Sequence, residues 1–156
     1  MFKFNIKFLL IVFFVTLVSC GYEPIFSKKN NIIYVKEIQY SGSEIITSEL
    51  KLVLERYKIK KNTDQNITLI INSSESREII QRNTQGEPNS YEITLSVIFE
   101  VKNNGNTLSK RTIKKRSTYA KKNTKSQEKD YENRIIKNMS RQIANQIIMN
   151  ITQKLK

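Results

Sequence analysis

The clearest pattern in the chain is a strict alternation. Tyr91, Ile93, Leu95, Val97, Phe99 and Val101 are apolar, and the residues between them are mostly polar. A period of two over eleven positions predicts a β-strand with one dry and one wet face. Asn103-Asn104-Gly105-Asn106 follows, and its Asn-Gly pair favours a type I′ hairpin turn. Thr107 to Tyr119 is then the return strand. Its Lys110, Arg111, Lys114, Lys115 and Arg116 suit an edge guarded by charge against further pairing.

A second pattern has the helical period. From Glu128 to Leu155, apolar residues recur at every fourth position: Tyr131, Ile135, Met139, Ile143, Ile147, Ile151 and Leu155. Each step of four overshoots a 3.6-residue turn, so the seam winds about the helix, and Ile136, Ala144 and Ile148 widen it. Such a stripe is core against a sheet. Upstream, Ile46, Leu50, Val53 (or Leu54) and Tyr57 mark a shorter amphipathic helix from Ser43 to Arg56, and Ser41-Gly42-Ser43-Glu44 has the form of a capping box. Ile32 to Tyr40 and Ile67 to Ile71 read as strands on either side of it. The second of these continues through Arg77 to Gln81 as a polar ribbon, ahead of the turn cluster Asn83 to Asn89. A strand–helix–strand order of these lengths predicts a parallel pair. The sum is an α+β chain in the order β-α-β-β-β-α.

The first twenty residues obey neither rule. Lys3 and Lys7 precede an apolar run from Phe8 to Val18, broken only by Thr16. That run is too short for a lasting membrane span, which needs roughly 20 residues, and it has the layout of an export signal. Leu17-Val18-Ser19-Cys20 closes it and resembles the lipobox of bacterial lipoproteins. The expected organisation is a signal peptide over 1–19, a lipidated tether over 20–31, and one domain over 32–156. Cys20 is the only cysteine. It therefore has no disulfide partner, and two or three acyl chains on it would fix the chain to a membrane. Gly21, where an aspartate commonly signals inner-membrane retention, points to the outer membrane.

The formal net charge is +13, unevenly placed. Residues 20–100 hold 10 basic and 11 acidic side chains, while residues 101–156 hold 15 basic and 3 acidic. Compositional drift toward Lys, Asn and Ile accounts for many lysines, but not for this asymmetry. A basic region attracts anionic partners. For a chain exported on lipid these are anionic headgroups or phosphorylated glycolipid rather than nucleic acid. Catalysis finds little support. There is no histidine, the one cysteine is taken up by lipidation, and the carboxylates lack the spacing of an acid–base pair or a metal site.

Cys20-Gly21-Tyr22-Glu23-Pro24-Ile25-Phe26 resembles the opening of mature lipopolysaccharide-assembly lipoproteins of the LptE family. Ser90 to Val97 is similar to that family's central strand, Lys115-Arg116-Ser117-Thr118-Tyr119 to the end of its last strand, and the terminal helix to its last element. The resemblance implies a two-layer α+β domain, two helices on a four-stranded mixed sheet. It implies a plug inside an LptD-type outer-membrane β-barrel that contacts lipopolysaccharide during insertion into the outer leaflet, with no cofactor. It also implies lipopolysaccharide contacts at Arg82, in the turn after the second strand, and at Lys121, Lys122 and Lys125, before the last helix. The rival reading is a stand-alone adaptor lipoprotein that binds anionic lipid or cell wall through its basic last third.

Overall fold

The computed structural model describes residues 35–58 and 66–154. The signal peptide, Cys20, the tether, Ile32 to Tyr34, most of the loop before the second strand, and Leu155 lie outside the described residues. Strand β1 (Glu37–Gly42) leads into helix α1 (Glu44–Leu54), which ends in a 3-10 turn (Glu55–Tyr57). Strands β2 (Ile67–Arg82), β3 (Pro88–Asn103) and β4 (Asn106–Ala120) follow, and helix α2 (Lys125–Lys154) closes the order. The sheet runs β1-β2-β3-β4, with β1 parallel to β2 and the other pairs antiparallel. This is the expected α+β architecture: two helices and a four-stranded mixed sheet.

Alternation decides the layering. Tyr91, Ile93, Leu95, Val97, Phe99 and Val101 of β3 are all buried. Leu69 and Ile71 of β2 share their face by register, as does Ile38 of β1. Against them lie Ile46, Leu50 and Leu54 of α1, and Ile136, Met139, Ile143, Ala144, Ile147 and Ile151 of α2. The opposite face carries Asn72, Ser74 and Ser76 of β2, Thr94, Ser96 and Ile98 of β3, and Thr112, Lys114 and Arg116 of β4. It is polar, mixing short hydroxyl side chains with charged ones, and Ile98 is an apolar exception. Burying one face only is what the period of two permits.

The β3–β4 turn has the backbone its Asn-Gly pair requires, with Asn104 at φ 49° and Gly105 at φ 83°. Both positive angles belong to a type I′ turn, whose twist matches the strands it joins.

Four expectations are corrected. Of the first strand expected over Ile32 to Tyr40, Ile32 to Tyr34 lie outside the described residues, and the described strand begins at Glu37. Val35 makes only an isolated bridge to Lys58, because the chain bends at Lys36 and the phase of burial changes there. The capping box does not form. Ser41 belongs to β1 and donates its hydroxyl to the Ile71 carbonyl, and Ser43, which opens α1, donates to Glu75 instead. The α-helical part of the expected Ser43 to Arg56 helix stops at Leu54, and the path continues through Arg56 as the 3-10 turn Glu55–Tyr57. Finally, α2 begins three residues before Glu128. Thr124 accepts the Gln127 amide on its hydroxyl, so Lys125 lies in the first helical turn and not in the connector.

Candidate functional site

The four cations singled out from sequence sit on three elements, and the fold brings them to one end of the sheet. Ser90 pairs with Ala120, and the Lys121 amide donates to the Asn89 carbonyl at 2.8 Å. The connector that carries Lys121 and Lys122 therefore lies beside the β2–β3 turn. Thr124 then starts α2 within a few residues, which places Lys125 at the same end.

The turn itself is tightly closed. Asn83 accepts the Gln85 and Glu87 amides on its side-chain oxygen, and its own amide donates to the Glu87 carbonyl. Arg82 folds back over it, donating Nη1 to the Gly86 carbonyl at 2.8 Å. Lys121 Nζ pairs with Glu87 at 3.6 Å, so one of the four charges is already answered within the chain. Lys122 lies over the Tyr131 ring, 4.0 Å from its centroid, and its amide donates to Glu128. Arg82, Lys122 and Lys125 make no ion pair among the described residues.

Beneath these cations is a cluster that sequence reasoning missed. Arg77 of β2 stacks on Tyr91, 3.8 Å from the ring centroid, and bonds Glu128 and Glu132 of α2. Tyr91 stacks on Tyr119 at 5.3 Å, and Tyr119 meets Tyr131 at 5.8 Å. The Tyr119 hydroxyl donates to Glu132. Burial opposes the charge on Arg77, but Glu128 and Glu132 outweigh it and hold the guanidinium above its ordinary pKa. Burial first, and then the bond to Glu132, push the Tyr119 phenol well above its ordinary value. The cluster fastens the start of α2 to the sheet and so fixes the connector from which Lys121 and Lys122 project. Its one sequence signal was the four-residue spacing of Glu128 and Glu132, which puts both on one helix face.

A second cationic surface lies along β4. Lys110, Lys114 and Arg116 point to the open face, and Arg111 and Lys115 to the helix side. Arg111 donates to Asn150 of α2, and Arg116 stands 4.0 Å from Glu92. Eight of the fifteen basic residues of the last third thus lie in an edge stripe and an end cluster. Among the described residues no group of three His, Cys, Asp or Glu side chains could hold a metal ion, and no helix is long and apolar enough to cross a membrane.

A family model described as LptE, lipopolysaccharide-assembly, matches residues 31–151. No curated protein matches the chain at a comparable level. Among solved structures, the fold is similar to rare lipoprotein B from Shewanella oneidensis, with a TM-score of 0.60 at 20% identity over 75% of this chain and 94% of that one. It is similar to a minor lipoprotein from Acinetobacter baumannii, with a TM-score of 0.55 at 19% identity over 76% and 94%. A lipoprotein B from Nitrosomonas europaea gives 0.58 at 14% identity over 77% and 84%. At such identities these structures speak for the fold.

Proposed function

This chain belongs to the LptE lipopolysaccharide-assembly family, and from that premise we propose that it is a lipid-anchored outer-membrane component of the lipopolysaccharide translocon. In this reading Cys20 carries the acyl chains that hold it on the periplasmic side. The domain occupies the lumen of an LptD-type β-barrel, and its end cluster presents cations to lipopolysaccharide. It performs no covalent chemistry.

The observation that carries the reading is the gathering of Arg82, Lys121, Lys122 and Lys125 at one end of the sheet, three of them without an anionic partner among the described residues. Lipid A and the inner core carry phosphates and acidic sugars, which Lys and Arg neutralise through charge-assisted hydrogen bonds. The open sheet face supports the plug. Its hydroxyl-rich surface of Ser74, Ser76, Thr94, Ser96 and Thr112 suits a wet, adaptable contact, and the strong apolar stripes are already used in the domain's own core.

The test is co-purification. The full chain is drawn in detergent from its own membranes, and its companions are identified by mass spectrometry. A stoichiometric LptD-type barrel is the expected result. Recovery alone, or with cell-wall material, would favour the stand-alone adaptor.

A further inference from the structure

No described residue pairs with the outer side of β4. The strand runs for 15 residues without a proline and, from Ser109 to Ala120, without a break in register. The opposite edge, β1, is blunted by its length of 6 residues. Register decides which backbone groups of β4 face outward. The Lys121 amide bonds the Asn89 carbonyl, so that pair is a hydrogen-bonded one. Bonded and non-bonded pairs alternate along an antiparallel ladder. Tyr119, Ser117, Lys115, Ile113 and Arg111 therefore spend their N–H and C=O groups on β3, while Thr118, Arg116, Lys114, Thr112 and Lys110 turn theirs away from it. The strand carries five cations and no carboxylate. Lys110 lies opposite Glu100, and Arg116 is 4.0 Å from Glu92. Lys114 on the open face, and Arg111 and Lys115 on the helix side, make no ion pair among the described residues. Between Arg111 and Lys115 stands Ile113, packed against the core.

Charge narrows what can occupy this edge. Two copies meeting antiparallel about Ile113 would set Lys110 against Arg116 and Arg111 against Lys115, and like charges directly opposite are destabilising. A layer of anionic headgroups would answer the cations and leave the outward backbone groups to water. An added strand answers both, because its backbone bonds the edge and its side chains alternate between the two faces. We propose that β4 takes a fifth, antiparallel strand from a partner polypeptide in which carboxylates alternate with apolar residues. The carboxylates lie against Lys110, Lys114 and Arg116. The apolar residues extend the helix side past Ile113, along the alkyl stems of Arg111 and Lys115. The cations then act as a filter, closed to a like strand and open to an acidic one. Such pairing stands apart from the family reading, since it invokes neither a barrel lumen nor lipopolysaccharide.

The probe is a fluorescent peptide of alternating glutamate and valine, added to the full chain purified from membranes and held in phosphatidylcholine nanodiscs. Anisotropy should report binding. Amide hydrogen exchange should slow by about tenfold or more at Thr112, Lys114 and Arg116, and not at Ile113 or Lys115, which β3 already protects. N-methylating the peptide at its glutamates removes the N–H groups that face β4 and should lower affinity by about tenfold or more. Thr112→Pro should do the same from the other side, since it removes one outward N–H and keeps every charge and every bond to β3. Should Thr112→Pro fail to fold, the methylated peptide on the parent chain decides alone. Equal affinity for the two peptides would reduce the contact to charge and overturn strand addition, as would no binding at all. Protection of the same amides by phosphatidylglycerol in the nanodisc, with no peptide present, would assign the stripe to a lipid surface instead. A dimer of the parent chain that Thr112→Pro abolishes would assign the edge to a second copy, and either result would overturn the proposal.

Discussion

Gly42→Ala is the sharpest test of how β1 meets β2. Gly42 ends β1 opposite Ser73 in a parallel register, with φ at +98°. A Cβ placed there would lie 1.8 Å from the Ser73 carbonyl oxygen, and 2.8 and 2.9 Å from the Ser73 carbon and nitrogen. Reaching even 3.0 Å from that oxygen means opening the pair by about 1.2 Å. Two bonds cross this point and would not survive: the Ser43 amide to the Ser73 carbonyl at 3.1 Å, and the Ser73 hydroxyl to the Ser41 carbonyl at 3.2 Å. The left-handed backbone costs an alanine about 1–2 kcal/mol, and each lost bond about 1 kcal/mol. The expected loss is therefore about 3–4 kcal/mol. Gly86→Ala is the matched control. Its φ is +81°, but a Cβ there meets nothing within 4 Å, so only the backbone cost of about 1–2 kcal/mol applies. Urea unfolding followed by circular dichroism, with the slope unchanged, gives both values. Equal losses in the two variants would refute the close approach of β1 to β2, and with it the parallel pairing at that point.

Three further outcomes follow from particular contacts. Glu49 is 5% exposed and is held by Arg141 Nε at 2.9 Å and Lys137 Nζ at 3.9 Å, both of them half-exposed. Glu49→Gln leaves two cations in water and should cost about 1–2 kcal/mol, whereas Arg141→Met with Lys137→Met strands a buried carboxylate and should cost about 3–5 kcal/mol; chemical denaturation giving the reverse order would contradict this arrangement. The Tyr119 phenol has its pKa raised above the ordinary 10.0 in the folded chain, so the folded state holds that proton more tightly than the unfolded one. Its contribution is therefore intact below about pH 10 and is lost as pH rises beyond it. Thermal unfolding above about pH 10 should fall less steeply for Tyr119→Phe than for the parent, although Tyr40, raised by burial and by the charge of Glu55, keeps part of the slope. Replacing Arg82, Lys121, Lys122 and Lys125 together by glutamine should weaken lipopolysaccharide binding, with the largest difference at low salt, and affinity unchanged at low salt would remove these residues from the site.

What the sequence showed was what local periodicity controls. The six alternating apolar residues of β3 are all buried, and the winding seam of α2 is the face it packs. Asn104-Gly105 makes the turn its two positive angles demand. What escaped was set by distant partners. Glu49 reads as one more polar residue of α1, yet it is buried because α2 delivers Lys137 and Arg141 to it from far along the chain. Ser73 stands in a polar run and is buried because Gly42 lets β1 come close enough to bond it. Arg77 carried no mark of its partners, since Tyr91, Glu128 and Glu132 meet it only when β2, β3 and α2 assemble. The candidate site was visible as a list of cations but not as a place. Lys121 and Arg82 become neighbours through the β3–β4 pairing, which a count of charges does not contain.

The same topology separates stability from recognition. β2 and β3 are 16 residues each, while α1 has only 11. Beyond Ser73, β2 is exposed to its end, so α1 covers only its first half. The 30 residues of α2 reach about 45 Å, enough to cross to the far half. There its first turns are fastened by Arg77 and the tyrosines rather than by the aliphatic core. The candidate cations lie past that fastening. Lys121 would lose an exposed pair to Glu87, worth at most about 1 kcal/mol. Lys122 would lose a half-buried contact with the Tyr131 ring, worth about 1–2 kcal/mol. Arg82 and Lys125 would lose no ion pair among the described residues. Charge at this end can therefore be removed or exchanged with the core intact. That makes a binding defect in the four-residue variant interpretable as a loss of contact rather than a loss of fold.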